Sequence, residues 1–177
     1  DKSVPFIKAF AIPYLLWLPF LTITLIYLCF RYRKIYYEVI ISIVVGVMLC
    51  FTIYYFFQTT VPRPKLSGND FLTNLVRYVY STDNPFNCFP SIHVLTSYLL
   101  IKGITSCNKK ILFQKVIIIS MSALIILSTQ FIKQHVILDL IFSIFIGNII
   151  FKSVDLLLKD KLNILDNSPQ GYLQHIL

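Results

Sequence analysis

The chain has 177 residues, 56% of them hydrophobic and only 14% charged, with a net charge of +8. That balance excludes an ordinary water-soluble domain, in which roughly a quarter of the residues are charged. The basic excess reads as membrane topology and attraction to lipid headgroups; with no basic helix and no recognised binding motif, nothing points to a nucleic-acid partner.

In chain order, Phe10 to Phe30 is the first apolar stretch and carries no charge. It is too long for the apolar part of a cleavable signal and runs into Arg31, Arg33 and Lys34, so a spanning helix is expected. The chain opens on Asp1 rather than Met, which suggests a fragment or a processed chain. A second uncharged stretch runs from Val39 to Pro62. Pro62-Arg63-Pro64-Lys65 then opens a long loop, residues 58–90, whose prolines stiffen the exit from the helix. A guanidinium fixed there suits bidentate phosphate binding; the plain alternative is an arginine anchored to headgroups.

Within that loop, Asp70 to Tyr80 reads as a short helix capped by Asp70, with Phe71, Leu75, Tyr78 and Val79 on one face in the membrane interface. It is either a lid for a lipid substrate or a simple connector. A weaker apolar segment, Phe86 to Ile104, contains Asn87-Cys88-Phe89-Pro90-Ser91-Ile92-His93. A helix is expected to begin at Pro90 and to offer its N-terminus, the Ser91 hydroxyl and His93 to an anion. The alternative makes Ser91 a cap and His93 a satisfied interfacial histidine. Val116 to Ile132 is a further apolar stretch that ends on Ser128-Thr129, whose hydroxyls are candidates for the same pocket. Lys133-Gln134-His135-Val136-Ile137-Leu138-Asp139 follows, and Leu140 to Phe151 is the core of the last span. On a helix His135 and Asp139 share a face, four residues apart. A carboxylate that fixes one imidazole, with a second imidazole nearby, suits histidine nucleophile and general-acid chemistry. An acid set into an apolar helix is costly without a task. The tail from Asp160 is polar and expected to fray.

These segments predict an all-α membrane bundle of five transmembrane helices in one domain. Lysines and arginines in alternate loops give the orientation. Arg31, Arg33, Lys34, Lys102, Lys109, Lys110, Lys115, Lys152, Lys159 and Lys161 fall on one side. The other side has Lys2, Lys8, Arg63, Lys65, Arg77 and Lys133. The richer side is expected to be cytoplasmic, which puts both histidine segments and the Arg63 loop on the extracytoplasmic face, in the plasma membrane. The spacing of Cys29, Cys50, Cys88 and Cys107 suggests neither a metal site nor a disulfide.

Pro62-Arg63-Pro64, Phe89-Pro90-Ser91-Ile92-His93, and Ser128-Thr129 with His135 and Asp139 together resemble the three-part signature of the type 2 phosphatidic acid phosphatase superfamily. The wording Asn87-Cys88-Phe89-Pro90-Ser91 and Gln134-His135 is similar to the branch that includes inositol phosphorylceramide synthases. The resemblance implies a phosphohistidine mechanism without a metal or other cofactor. His135 matches the nucleophile, Asp139 its orienting carboxylate and His93 the general acid. Arg63 and Ser91 match phosphate ligands, and Ser128 matches the serine of the third motif. It also implies a six-helix core, so that one helix would precede Asp1. Three positions depart from the pattern: Phe56 stands where a lysine is common, Thr129 where an arginine is common, and Ile92 where a glycine is common. Lys65 and Lys133 are the candidates to replace the absent cations, and the loss counts against diphosphate substrates. The expected activity is hydrolysis of a lipid phosphomonoester or diphosphate among membrane lipids. The alternatives are a phosphotransferase between lipid or sugar alcohols, and a non-catalytic transporter or assembly subunit that kept the fold.

Overall fold

The computed structural model of the protein describes residues 3–107 and 111–167, with side chains through residue 158. The Lys109-Lys110 loop, Lys2 and the tail beyond Asn167 lie outside the described residues, as do the side chains of Lys159 and Lys161. Among the described residues the fold is all-helical, apart from an isolated antiparallel bridge between Thr60 and Phe86. A 3-10 turn at Lys8–Phe10 leads into α1 (Ala11–Leu15) and α2 (Trp17–Arg31). Pro19 explains the break at Leu16: it has no N–H for the Leu15 carbonyl, and its ring crowds that oxygen. α3 is Arg33–Phe56, α4 Phe71–Thr82, α5 Ile92–Ser106, α6 Leu112–Phe131 and α7 Ile137–Asn167.

Among the described residues four segments are long and apolar enough to cross a membrane: Lys8–Arg31, Arg33–Phe56, Leu112–Phe131 and Ile137–Leu158. Their outer faces leave Ile23, Phe30, Val44, Met48, Leu124 and Phe145 exposed, as lipid-facing side chains are. The protein is an integral membrane protein. The fifth expected span is different. α5 has only 15 residues, about 22 Å at 1.5 Å per residue, against a hydrocarbon core of about 30 Å. It starts at Ile92 rather than Phe86 or Pro90, because residues 86–90 remain an irregular approach with a positive φ of 57° at Asn87. α5 forms the axis of the bundle, packed by α2, α3, α6 and α7. Leu95, Leu99, Leu100 and Ile104 are fully buried there with Leu28 of α2 and Val39 of α3. Gly103 permits the closest approach: a Cβ at that position would lie 2.2 Å from Cγ2 of Val39. Val39 is β-branched and has little freedom to move aside.

A smaller cluster closes one end of the bundle, where Ala11, Tyr14, Val76, Val79 and Ile132 join α1, α4 and the turn after α6. α4 begins as expected, with the Asp70 side chain accepting from the Thr73 N–H at 3.0 Å. The Thr73 hydroxyl and N–H, with Lys8, hold the Asp70 carboxyl below its usual range. The expected face of α4 is corrected. Thr73, Val76 and Val79 pack inward, whereas Phe71 and Tyr78 are 71% and 59% exposed. Val76 and Val79 pack with Ala11, Tyr14 and Ile132, and the Thr73 hydroxyl donates to Asp70 and accepts from Lys8, so the inward face is filled by small side chains while the large rings remain outside. α7 is also longer than expected and continues to Asn167, since no proline breaks it before Pro169, and Gly147 within it packs against Tyr98 and Leu95 of α5.

Candidate active site

His135 sits in a turn that folds back on the end of α6. The Thr129 carbonyl accepts both the Gln134 N–H at 3.0 Å and the His135 N–H at 3.1 Å. Closing that turn requires a left-handed backbone at Lys133, with φ of 56°, an uncommon state for a residue other than glycine. The His135 ring is 9% exposed. Its Nδ1 lies 2.8 Å from the Cys88 carbonyl oxygen and 3.2 Å from Oδ2 of Asp139. Both partners only accept, so Nδ1 carries the proton and the lone pair resides on Nε2. Asp139 stands in the first turn of α7, 3% exposed, where Oδ2 also accepts the Val136 N–H at 3.0 Å. It therefore closes the start of the helix and orients the imidazole with the same oxygen.

His93 occupies the first turn of α5. Its ring stacks on Tyr14, with centroids 4.4 Å apart, and against Trp17 at 4.1 Å. Trp17 is fixed in turn by its Nε1–H donating to the Thr96 hydroxyl at 2.9 Å. The rings of His93 and His135 are 6.2 Å apart between centroids. Both line a cavity of about 450 Å³ whose wall also carries Tyr54, Asp83, Asn87 and Gln134. Cys88 is on that wall too, but burial and then the Asp139 charge push its thiol up to about 11. It stays a neutral thiol and is no rival to imidazole as a nucleophile. A second cavity of about 540 Å³ lies against Arg63, Gln130, Lys133, His135 and the backbone near Pro5. His135 thus borders both spaces.

The other sequence candidates divide. Arg63 reaches the second cavity, with its terminal nitrogens donating to backbone carbonyls at the end of α4: Nη1 to Tyr80 at 2.9 Å, and Nη2 to Asp83. Its guanidinium lies over the Tyr80 ring at 4.3 Å, and its buried Nε has no hydrogen-bond partner. Lys133 shares that cavity, with Nζ donating to the Val4 carbonyl. Lys65 is exposed and lines neither space. Ser91 is buried as the cap of α5, its Oγ accepting from the Val94 N–H at 3.4 Å while its own N–H donates to Ser143 Oγ at 2.8 Å. The Ser128 and Thr129 hydroxyls turn back to Ile125 and Ile126 carbonyls, at 2.6 and 2.7 Å, and face neither cavity. A serine or threonine inside a helix has that local acceptor always within reach. Tyr14, Trp17 and Asp83 join the site from outside the motif positions, and Cys88 joins it through its backbone carbonyl. Among the described residues no group of three or more His, Cys, Asp or Glu side chains is placed to hold a metal ion.

A polytopic helical bundle thus brings two imidazoles, a buried carboxylate, an arginine and a lysine to or beside two cavities that share His135 as a wall. The family model for the PAP2 superfamily matches residues 2–152, and the chain belongs to that superfamily of phosphatase and phosphotransferase-type enzymes. No curated protein and no solved structure matches the chain.

Proposed function

We propose that the protein is a membrane-bound lipid phosphate phosphatase working by double displacement through His135. One observation carries this reading: the Nδ1–H of His135 is held by Cys88 and Asp139 while its ring borders the cavity shared with His93. In the first half-reaction Nε2 attacks phosphorus, the P–O bond to the lipid alcohol breaks, and His93 gives the departing oxygen a proton. In the second half, His93 takes a proton from water, and that water displaces His135 from phosphorus. Arg63 and Lys133 supply positive charge near the transferring group. Lys133, which shares a cavity wall with His135, is the better replacement for the absent family cation; exposed Lys65 is not.

A phosphotransferase is the second reading, and the wall of the first cavity favours it over the remaining alternatives. Gln58, Asn84, Asn87 and Gln134 line it, and Oε1 of Gln134 is buried without a hydrogen-bond partner. A buried acceptor without a partner is satisfied by a donor such as an alcohol hydroxyl. The test is an assay of detergent-solubilised protein with a panel of lipid phosphates, with and without glycerol and a sugar alcohol. Release of inorganic phosphate that does not depend on the alcohols supports the phosphatase. Phosphorylated alcohol appearing at the expense of inorganic phosphate supports the transferase, and neither product from any donor overturns both.

The reading also puts the site on the extracytoplasmic face. A cysteine introduced at the exposed Ser67 is expected to react with an impermeant thiol reagent in intact cells, in a background without the native cysteines. One at the exposed Ser106 is expected to stay unlabelled until the cells are opened. The reverse pattern would invert the topology.

A further inference from the structure

His93 is served by a carboxylate of its own. The hydroxyl of Tyr14, which is 4% exposed, donates to Oδ2 of Asp83, the residue that closes α4. A phenol has a single proton to give, so the Tyr14 oxygen, with its proton committed to Asp83, presents a lone pair. That oxygen stands 3.5 Å from Nδ1 of His93, while the Tyr14 and His93 rings stack with an interplanar angle of 26°. The backbone of Asp83 is pinned as well, since its carbonyl accepts from Arg63 Nη2 and, at 3.4 Å, from Gln134 Nε2. Asp83, His93 and His135 border the same cavity.

We propose that Tyr14 and Asp83 are positioning residues for His93: Asp83 orients the Tyr14 hydroxyl, whose oxygen accepts the Nδ1–H of His93 and steadies the ring when it is protonated. The arrangement parallels that of His135, whose Nδ1 meets Asp139, except that here a phenol stands between carboxylate and imidazole. With Nδ1 engaged, Nε2 is the nitrogen that exchanges protons with substrate. In the first half-reaction His135 Nε2 bonds to phosphorus, the P–O bond breaks, and the imidazolium of His93 passes its Nε2 proton to the departing oxygen and becomes neutral. In the second half neutral Nε2 takes the proton of the incoming hydroxyl, that oxygen bonds to phosphorus, and the P–N bond to His135 breaks. Hydrogen bonds of this kind are often long without substrate and tighten in the reacting complex. The proposal rests on the phosphohistidine reading above and adds two residues to it.

The alternative is that the Tyr14–Asp83 bond only clamps α1 to the end of α4. Leaving-group dependence separates the two. Tyr14→Phe keeps the stacked ring and removes the oxygen, and Asp83→Asn removes the charge. Each variant is assayed in detergent with para-nitrophenyl phosphate, whose leaving group needs little protonation, and with short-chain phosphatidic acid, whose alcohol needs a proton. Positioning of His93 predicts a loss of about tenfold in the rate of phosphoenzyme formation with phosphatidic acid, the size seen for outer partners of metal ligands. With the nitrophenyl ester phosphoenzyme formation, read as the burst of nitrophenol, should stay within about twofold, since that leaving oxygen departs without a proton. Equal losses on both substrates, or no loss, overturn the proposal and leave a clamp. Should Asp83→Asn fail to fold, Tyr14→Phe decides alone. A parallel His135→Ala arm separates this proposal from the reading beneath it. A phosphoenzyme that survives His135→Ala overturns the phosphohistidine reading and this proposal with it. A silent His135→Ala beside a flat Tyr14→Phe overturns the role of Tyr14 and Asp83 alone.

Discussion

His135→Ala is expected to remove turnover and to abolish any acid-labile phosphoenzyme, a loss on the order of 10⁴-fold or more, as when the nucleophile of other covalent enzymes is deleted. The ring is buried, held at Nδ1 by Cys88 and Asp139, and borders both cavities. Nothing nearby replaces it: the Cys88 thiol is pushed up to about 11 by burial and by Asp139. His93→Ala should behave differently. General acid–base catalysis contributes about 10² to 10⁴ in rate, so this variant is expected to fall within that range on a lipid ester. Much of the loss in phosphoenzyme formation should return on a substrate whose leaving group departs unprotonated, whereas hydrolysis of the phosphoenzyme, in which His93 takes the proton of water, should stay slow with either substrate. The two variants are compared by initial rate on both substrate types and by trapping labelled phosphoenzyme in an alkaline detergent quench, which preserves a P–N bond that acid would cleave. Equal recovery of both on the good leaving group would reverse or dissolve the assignment of roles.

What the sequence made legible is the part of the site written in local spacing. His135 and Asp139 could be paired because four residues on a helix bring side chains together, and they are in contact at 3.2 Å. The Asp70 cap was legible for the same reason. Groups that arrive from afar were not. The closest partner of His135 is a backbone carbonyl 47 positions away, at Cys88, and no side-chain motif reports a carbonyl. Tyr14 and Trp17 lie within an apolar stretch whose composition speaks only of a membrane span, yet their rings enclose His93. Ser128 was chosen by motif and proves to be turned to its own helix, where the Ile125 carbonyl competes for its proton. The fifth span was read from hydropathy, which cannot tell a lipid-facing helix from a short one at the axis of a bundle. Asp83 does leave a mark in the sequence: it is the only acid between Asp70 and Asp139, and an isolated carboxylate in so apolar a chain needs a partner.

Asp139→Asn is expected to cost about 10²-fold in kcat, less than the roughly 10⁴-fold loss in a serine hydrolase whose orienting aspartate is made an asparagine. In that enzyme the substitution leaves histidine in the wrong tautomer. Here Cys88 provides a second and shorter acceptor for Nδ1–H, 2.8 Å against 3.2 Å. A carbonyl accepts and never donates, so it keeps the proton on Nδ1 even when an amide replaces the carboxylate. The remaining loss is that of the negative charge that stabilises the imidazolium developing as Nε2 bonds to phosphorus. Asp139→Ala is expected to lose more, because Oδ2 also accepts the Val136 N–H at 3.0 Å at the start of α7. Removing an N-terminal cap costs about 1 kcal/mol, and the loss should loosen the turn that carries His135. The comparison needs kcat for both variants and thermal unfolding in detergent. Asp139→Asn should unfold near the wild-type temperature with reduced kcat, and Asp139→Ala should fall in both. Near-normal kcat in Asp139→Asn, with a destabilised Asp139→Ala, would reduce Asp139 to a helix cap and leave Cys88 as the group that orients the nucleophile.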